Sequence, residues 1–288
     1  MLPFIALTAV ADIKTMQLYA GVERIYNEPQ VGRSGPLTVR ALAPFDHLHY
    51  LGTHAVDLVI AAAPITPSSR VLEAGSGYGG PARYIANATG AHVTAVELQP
   101  DLNEVAVQLT QRCDLAGRVT HVSADLLTME LAPAAYDVVV SFLAWLHIPD
   151  KATLLRQMAH TLKPGGKLYA EDYFKLAEFS DEEEELLKSQ VYCAALPTRE
   201  EYIARLQEAG FEDIRFEEVT REWRELTVAR SADYSAKRED HVAVHGETIV
   251  NSLTLFYSSV AKIFETGKLG GARIVATKRG GTAVRDEL

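Results

Sequence analysis

The fold is decided by Val71-Leu72-Glu73-Ala74-Gly75-Ser76-Gly77-Tyr78-Gly79-Gly80, in which an apolar strand leads into a glycine-rich turn and then into a helix. Glycine has no Cβ, so the backbone of such a turn can approach a ligand closely and can bend tightly. A glycine turn alone is weak evidence for a binding site. The residues around it must therefore decide what it binds.

Outward from the turn, the chain alternates short apolar runs with helical patterns, which is typical of a parallel sheet with crossover helices. Strands are predicted at Arg70–Ala74, His92–Glu97, Val119–Ser123, Tyr136–Phe142 and residues 167–172, 211–220 and 271–278. Helices are predicted at Gly80–Thr89, at residues 100–116 and 151–162, over most of residues 231–265, and after two capping boxes, Ser180 with Glu183 and Thr198 with Glu201.

These elements predict an α/β fold, a Rossmann-like seven-stranded doubly wound sheet with a helical insertion before the last strand. Residues 1–65 precede the pattern and are expected to form an N-terminal lid segment, in which residues 1–11 dock on the core as a helix or an arm. Residues 66–288 are expected to form one cofactor-binding domain.

Composition narrows the classes of partner. The chain has 288 residues, of which 48% are hydrophobic and 23% charged, as in ordinary globular proteins. A net charge of -10 without a basic run argues against nucleic acid, and no stretch is long and apolar enough to span a membrane. Cys113 and Cys193 suggest neither a disulfide framework nor a zinc site, which fits a cytoplasmic location. The oligomeric state, monomer or dimer, is left open.

Two acidic residues near the turn indicate a nucleoside cofactor. Glu97 closes the second strand about twenty residues after the turn, where a carboxylate can accept both hydroxyls of a ribose. Dinucleotides and S-adenosylmethionine both fit that arrangement. Glu73 would repel a pyrophosphate, whereas it can receive the ammonium group of a methionyl moiety, directly or through water. The spacing Gly75-x-Gly77-x-Gly79 also departs from the dinucleotide fingerprint, so the residues favour S-adenosylmethionine.

At this point the chain resembles the class I S-adenosylmethionine-dependent methyltransferases, whose first motif is an acidic residue followed by this kind of glycine turn. Ser123-Ala124-Asp125-Leu126 is similar to their adenine-binding segment, and residues 137–141 and 162–168 are similar to their fourth strand and their turn into the fifth. The resemblance implies that Asp125 binds the exocyclic amine of adenine. The cofactor-binding residues expected are Glu73, Gly75, Ser76, Gly77, Gly79, Glu97, Leu98, Asp125, Leu126 and Ser141.

Two further segments, residues 77–84 and 146–151, resemble the sarcosine/dimethylglycine and phosphoethanolamine N-methyltransferases, and residues 266–271 are similar to the turn before their last strand. This resemblance implies a small-molecule methyl acceptor. The chain has Leu143 where the phosphoethanolamine enzymes have an aspartate, and it has no basic cluster that would hold a phosphate. Both departures argue against phosphoethanolamine itself.

His147 is the candidate general base, because it follows the fourth strand at the carboxyl end, where ligands collect in open α/β sheets. A histidine with a pKa near neutrality can accept the proton that an amine loses. The resemblance to the phosphoethanolamine enzymes implies the same role. The alternative is a histidine that caps the helix beginning near Pro149. Trp145 could face a cationic substrate, although packing is the simpler interpretation.

The N-terminal segment supplies the candidate lid residues. In the resembling families this region folds over the cofactor, which implies that His49 and Tyr50 border the active site. We assign the families' catalytic tyrosine to Tyr26, with Tyr19 as its rival. His47 and His49 would share one face of an extended segment, but no third ligand follows at a suitable spacing, so no metal is expected.

Three functions remain open at the level of sequence. The leading hypothesis is methylation of the nitrogen of a small amine or amino acid. The first alternative is O- or C-methylation of a small hydroxylated or natural-product substrate by the same fold. The second is a cofactor-binding scaffold without catalysis. Fold alone does not choose among them.

Overall fold

The structure, a computed structural model, describes Met16, Tyr19, residues 21–193 and residues 195–280. Seven strands within this part of the chain form one sheet in the order β3-β2-β1-β4-β5-β7-β6. Strands β1 to β5 pair in parallel, whereas β7 is antiparallel to both β5 and β6. The strands are β1 Arg70–Ala74, β2 His92–Glu97, β3 Val119–Ser123, β4 Tyr136–Phe142, β5 Leu162–Lys175, β6 Phe211–Glu218 and β7 Leu269–Lys278. The predicted seven-stranded α/β sheet is therefore confirmed.

Helices cover both faces of the sheet, so its central strands are apolar throughout. In β4, Val138, Val139 and Val140 are all buried, as expected of a parallel strand between two helical layers. Val139 packs with residues of the helices Lys151–Thr161 and Arg199–Glu208, and its two neighbours pack with residues of the helices Thr53–Ala62 and Gly80–Thr89. The helices are α1 Val39–Asp46, α2 Thr53–Ala62, α3 Gly80–Thr89, α4 Pro100–Arg112, α5 Lys151–Thr161, α6 Asp181–Leu186, α7 Arg199–Glu208, α8 Thr220–Ala236, α9 Arg238–His245 and α10 Glu247–Glu265.

Several boundaries differ from the prediction for local reasons. Helix α4 ends at Arg112 instead of residue 116, and Asp114 has a φ of 57°, a left-handed conformation that a helix cannot continue through. Strand β5 is longer than residues 167–172, because Leu162 already pairs with Tyr136 and Lys175 still pairs with Leu269. Both predicted capping boxes are formed, with Ser180 and Thr198 as the N-caps of α6 and α7.

The helical insertion also begins earlier than predicted. Strand β6 ends at Glu218, and Thr220 starts α8, so the insertion before β7 comprises α8, α9 and α10. It is interrupted at Lys237 and again at Gly246, whose φ of 80° breaks the helical path. None of the described helices combines the length and the hydropathy needed to cross a bilayer.

Buried polar contacts hold the N-terminal segment over the glycine turn. Arg83 in α3 is fully buried and donates to Asp46 Oδ2 at 2.8 Å and to the Tyr78 carbonyl at 2.6 Å. The Tyr78 hydroxyl in turn donates to the Val22 carbonyl at 2.6 Å. Through Arg83, helix α3 therefore contacts both the N-terminal segment and the glycine turn. The expectation for residues 1–11 lies outside the described residues.

Candidate cofactor and active site

The turn after β1 has a backbone that glycine adopts without strain. Gly75 and Gly77 have φ values of 84° and 53°. A Cβ at Gly75 would lie 2.2 Å from the Cβ of Ala144, so a larger residue would displace the loop after β4. The amides of Gly75 and Ser76 both donate to the Val96 carbonyl at 2.9 Å. These bonds fix the turn against the end of β2.

Glu97 closes the turn from the β2 side. Its Oε2 accepts from the Gly77 amide at 2.8 Å, and its Oε1 accepts from the Gln99 amide at 3.0 Å. Burial raises the pKa of the Glu97 carboxyl, and the two amide hydrogen bonds oppose that shift. A carboxylate oxygen can accept more than one hydrogen bond, so Glu97 can still receive the hydroxyls of a ribose.

The turn, the ends of β2 and β4, the loop after β3 and the N-terminal segment enclose a cavity of about 320 Å³. This volume is within the range of small-molecule sites. The charged residues that line it are all carboxylates, Asp46, Glu73, Glu97 and Asp125, and no lysine or arginine of the described residues lines it. A cavity with this lining favours a ligand that carries positive charge.

The surroundings of Glu73 indicate whether the cavity suits S-adenosylmethionine. Its side chain is 1% exposed, and its Oε2 has no hydrogen-bond partner among the described residues. Ser76 lines the same cavity, and its Oγ is also buried and has no partner within the described part of the chain. Burial raises the pKa of Glu73 well above its usual value, and Arg83 lowers it in part. A buried acceptor without a donor is costly unless a ligand supplies one. The ammonium of a methionyl group would supply it, so these residues fit the cofactor.

The far end of the cavity offers apolar and polar groups suited to a purine. Leu98 is 50% exposed, an unusual position for a large apolar side chain, and the buried Leu126 also lines the cavity. Asp125 is exposed, and its Oδ1 accepts from the Leu127 amide at 2.8 Å. Its carboxylate retains capacity to accept from an exocyclic amine.

His147 lies in a short 3-10 helix, Trp145–His147, directly after β4. Its Nδ1 lies 3.1 Å from the Tyr192 carbonyl oxygen, which can only accept, so the proton belongs on Nδ1 and Nε2 is left as an acceptor. Burial lowers the pKa of His147 to about 4. The ring is therefore neutral near pH 7. Asp150, not His147, caps α5, through a bond from the Thr153 amide at 2.9 Å.

His47 and His49 bond to each other. His49 Nδ1 lies 2.8 Å from the Tyr50 carbonyl, so it must donate, and its Nε2 then accepts from His47 Nδ1 at 3.0 Å. Burial lowers the pKa of His49 to about 3, which keeps the ring neutral. Both ring nitrogens of His49 are thus occupied, so it presents no free base to the cavity. No group of three or more metal-ligating side chains occurs within the described ranges.

The cavity brings together eleven of the predicted site residues and leaves out five. Those that line it are Tyr19, His49, Glu73, Gly75, Ser76, Gly77, Glu97, Leu98, Asp125, Leu126 and His147. Those that do not are Tyr26, Tyr50, Gly79, Ser141 and Trp145.

The five residues that do not line the cavity have other contacts. Tyr26 donates to Gln108 Oε1 at 2.7 Å, and the hydroxyls of Tyr50 and Tyr173 lie 2.5 Å apart. Three predicted residues support the site from behind it. Ser141 Oγ donates to the Ala74 carbonyl at 2.7 Å, Gly79 is the N-cap of α3, and Trp145 is fully buried in the main core.

Several lining residues were not assigned from the sequence. Phe142 and Leu143 come from the end of β4, and Leu143 has a φ of 52°, a strained conformation for a residue with a side chain. Asp46 and Leu48 come from the N-terminal segment. A signal for Asp46 was available, since an arginine at position 83 on the apolar face of α3 needs an acidic partner.

Comparisons with known proteins find similarity to methyltransferases. Residues 71–166 match a family model described as a methyltransferase domain. The chain is 28% identical over 190 residues to the 27-O-demethylrifamycin SV methyltransferase of Amycolatopsis mediterranei, covering 65% of this chain and 70% of that protein. It is 29% identical over 154 residues to the sarcosine/dimethylglycine N-methyltransferase of Halorhodospira halochloris, covering 54% of this chain and 55% of that protein.

The fold is also similar to a solved structure. The Haemonchus contortus phosphoethanolamine N-methyltransferase 2 in complex with S-adenosyl-L-methionine matches with a TM-score of 0.79 and 22% identity. The match covers 95% of this chain and 61% of that one. The chain therefore spans between about half and about two thirds of the length of these proteins.

Proposed function

We propose that this chain, which carries a methyltransferase domain of the S-adenosylmethionine-dependent class, transfers a methyl group from that cofactor to the nitrogen of a small amine or amino acid. The observation that carries the proposal is the pair of buried carboxylates at the tips of β1 and β2. Glu73 has an oxygen to which no described residue donates, and Glu97 accepts from two amides beside the glycine turn. Together they suit the two polar ends of one nucleoside.

The protein's task in this reaction is chiefly alignment. The bound cofactor supplies a methyl group that is already activated on a sulfonium. Glu73 receives the ammonium group, Glu97 receives the ribose hydroxyls, and Asp125 with Leu126 holds the adenine. Orientation of reactants and exclusion of water can account for a large part of such a rate enhancement.

On the acceptor side, His147 orients the nucleophile. Its Nε2 is the acceptor nitrogen of a neutral ring, so it can receive an N–H bond from an uncharged amine. Proton removal from a charged alkylammonium by a base whose pKa is about 4 would be unfavourable, so the amine has to arrive uncharged. Tyr19 lines the cavity whereas Tyr26 does not, so we place the orienting tyrosine at Tyr19.

The acceptor proposal rests on charge and on the relatives. No lysine or arginine of the described residues lines the cavity, so it offers no cation to hold a phosphate-bearing acceptor. The sarcosine/dimethylglycine N-methyltransferase among the relatives acts on amino acids, according to its name.

The test is a panel of acceptors with methyl-labelled cofactor: ethanolamine, glycine, sarcosine, dimethylglycine, phosphoethanolamine and catechol. Transfer to an amine member is expected. Transfer to catechol alone would overturn the assignment to nitrogen.

O-methylation is the second candidate, because one relative is named for an O-demethylated substrate. The panel separates the two, since catechol, which has hydroxyl groups and no amine, would then accept the methyl group. A scaffold without catalysis would bind S-adenosylhomocysteine at micromolar concentration and transfer label to no component of a cell extract.

We also propose a division of labour along the chain. Residues 1–65 act as the lid, because Tyr19, Asp46, Leu48 and His49 line the cavity from that side, and residues 66–288 act as the cofactor domain. Two free thiols, at Cys113 and Cys193, support a cytoplasmic location. The partner is a small-molecule acceptor, and the acidic net charge argues against nucleic acid.

A further inference from the structure

Asp46 is the last residue of α1 and lines the cofactor cavity from the lid side. Its side chain is almost fully buried, with a residue exposure of 2%. Its Oδ2 accepts from Arg83 at 2.8 Å. Its Oδ1 is buried and has no hydrogen-bond partner among the described residues. One oxygen of Asp46 is thus bound by Arg83, while the other has no donor among the described residues.

The surroundings of Oδ1 explain why the protein itself supplies no donor. Nε2 of His47 lies 3.6 Å from Oδ1. His47 Nδ1 carries the proton that is donated to His49, and burial lowers the pKa of His47, so its Nε2 holds a lone pair. Oδ1 also lies 2.9 Å from the position that a Cβ at residue 80 would take, and Gly80 leaves that space open. Two acceptors therefore face each other at the start of α3 without a proton between them.

The charges in this region balance only while the Glu73 carboxyl is protonated, which its raised pKa favours in the free protein. The carboxylates of Asp46 and Glu73 share one buried cation, Arg83. Arg83 is already committed to Asp46 Oδ2, to the carbonyls of Tyr78 and Ala106 and to Thr110 Oγ1. With both carboxylates ionised, the group carries one uncompensated negative charge. Buried charge of this kind is stable only if a cation is supplied.

We propose that Asp46 is a second anchor for the ammonium group of the cofactor, acting together with Glu73. This inference rests on the proposed function and adds to it a contact made by the lid. An ammonium has three N–H donors, and three residues that line the cavity each have a buried oxygen without a partner among the described residues: Asp46 Oδ1, Glu73 Oε2 and Ser76 Oγ. The N-terminal segment thereby recognises the amino-acid end of the cofactor.

The test compares two ligands on the Asp46→Asn variant. S-adenosylhomocysteine has the amino-acid end, whereas 5′-methylthioadenosine has the adenine, the ribose and the sulfur without it. Asparagine can keep its carbonyl oxygen on Arg83 and turn an amide donor towards the cavity. Calorimetry should show affinity for S-adenosylhomocysteine reduced about tenfold to a hundredfold, with affinity for 5′-methylthioadenosine unchanged within about twofold.

A matched control is Asp57→Asn, which removes an exposed carboxylate of α2 that accepts from the Tyr84 hydroxyl. It should change neither affinity. An equal loss for both ligands in Asp46→Asn would assign Asp46 a purely structural role, and no loss for either would also overturn the proposal. Failure of the unaltered protein to bind S-adenosylhomocysteine would instead overturn the proposed function.

A second variant keeps the test decisive if Asp46→Asn does not fold. Asp46→Glu retains the charge beside Arg83 and moves the carboxylate by one methylene. It should fold and should weaken S-adenosylhomocysteine selectively, by a smaller factor than the asparagine variant. If Asp46→Glu binds both ligands as the unaltered protein does, Asp46 does not contact the ammonium.

Discussion

If Glu73 receives the ammonium group as proposed, cofactor binding should be coupled to the release of a proton. Burial raises the pKa of its carboxyl well above the usual value, so the free protein favours the protonated acid over a wider pH range. An ammonium ligand binds the ionised form. Binding therefore releases a proton, and affinity for S-adenosylhomocysteine should fall as the pH is lowered through the raised pKa. Calorimetry in two buffers of different ionisation enthalpy will show the release as a buffer-dependent heat.

The Glu73→Gln variant identifies the source of that proton. Without a titrating carboxyl at residue 73, the buffer dependence should disappear and the affinity should become nearly independent of pH. Burial also raises the pKa of Glu97, so an undiminished proton release in Glu73→Gln would assign the proton to Glu97 and contradict the prediction.

His147 should affect transfer and not cofactor binding. The His147→Ala variant should bind S-adenosylhomocysteine within about twofold of the unaltered protein and should transfer methyl groups about 10² times more slowly, because the nucleophile is no longer oriented. Because burial lowers the pKa of His147 to about 4, the ring is neutral above that pH, and its contribution should be lost only as the pH falls towards 4. Single-turnover rates with labelled cofactor measure this. His160→Ala, at an exposed position of α5, is the control, and equal rates in the two variants would remove His147 from the mechanism.

The residues of the cavity differ in how well their positions could be predicted from the sequence. Glu73, Gly75 and Glu97 were predictable because each stands at the end of a strand beside a motif, so local order fixes their place. The choice between Tyr19 and Tyr26 depended instead on which way a short 3-10 helix, Val22–Asn27, directs the chain. No local pattern encodes that direction.

At the level of elements, the first four strands were predicted to the residue because their apolar runs end abruptly at turns. Later boundaries depended on partners distant in sequence. Strand β5 continues to Lys175 because β7 lies beside it as far as Leu269. Helix α8 starts at Thr220, and Val219, the residue before it, donates its amide to the Gly271 carbonyl at 2.8 Å. Tertiary pairing of this kind is absent from a single sequence.

The packing of helix α1 on helix α3 should depend on the ion pair between Asp46 and Arg83. Arg83→Met removes the buried cation and leaves Asp46 charged and uncompensated, which typically costs about 3 to 5 kcal/mol. Urea unfolding should show a loss of free energy of unfolding of that order. The control is Lys237→Met, which breaks the exposed pair with Asp233 and should cost at most about 1 kcal/mol. Similar losses in the two variants would show that the buried pair does not stabilise the packing of α1 on α3.

At the scale of the whole molecule, the cavity lies between two parts of the chain that are far apart in sequence. The sheet supplies the acids and the glycine turn, and the N-terminal segment supplies Asp46, Leu48 and His49. That segment is also tied to the helical insertion, where His245 Nε2 lies 3.0 Å from Glu28 Oε1. A ligand that fills the cavity therefore contacts both parts at once.

Hydrogen exchange with and without S-adenosylhomocysteine should reveal this organisation. A ligand that binds the closed state stabilises the contacts that close it, and ligand-binding lids belong to the less stable parts of a fold. Exchange in Val39–Asp46 and in the segment up to His49 should slow on binding, because this helix ends at Asp46 and because Asp46, Leu48 and His49 line the cavity. Strand β6, Phe211–Glu218, lies at the edge of the sheet farthest from β3 and lines no part of the cavity, so its exchange should not change. Equal protection of β6 and α1 would indicate that the whole protein stiffens as one unit, and the division into a lid of residues 1–65 and a cofactor domain would then be wrong.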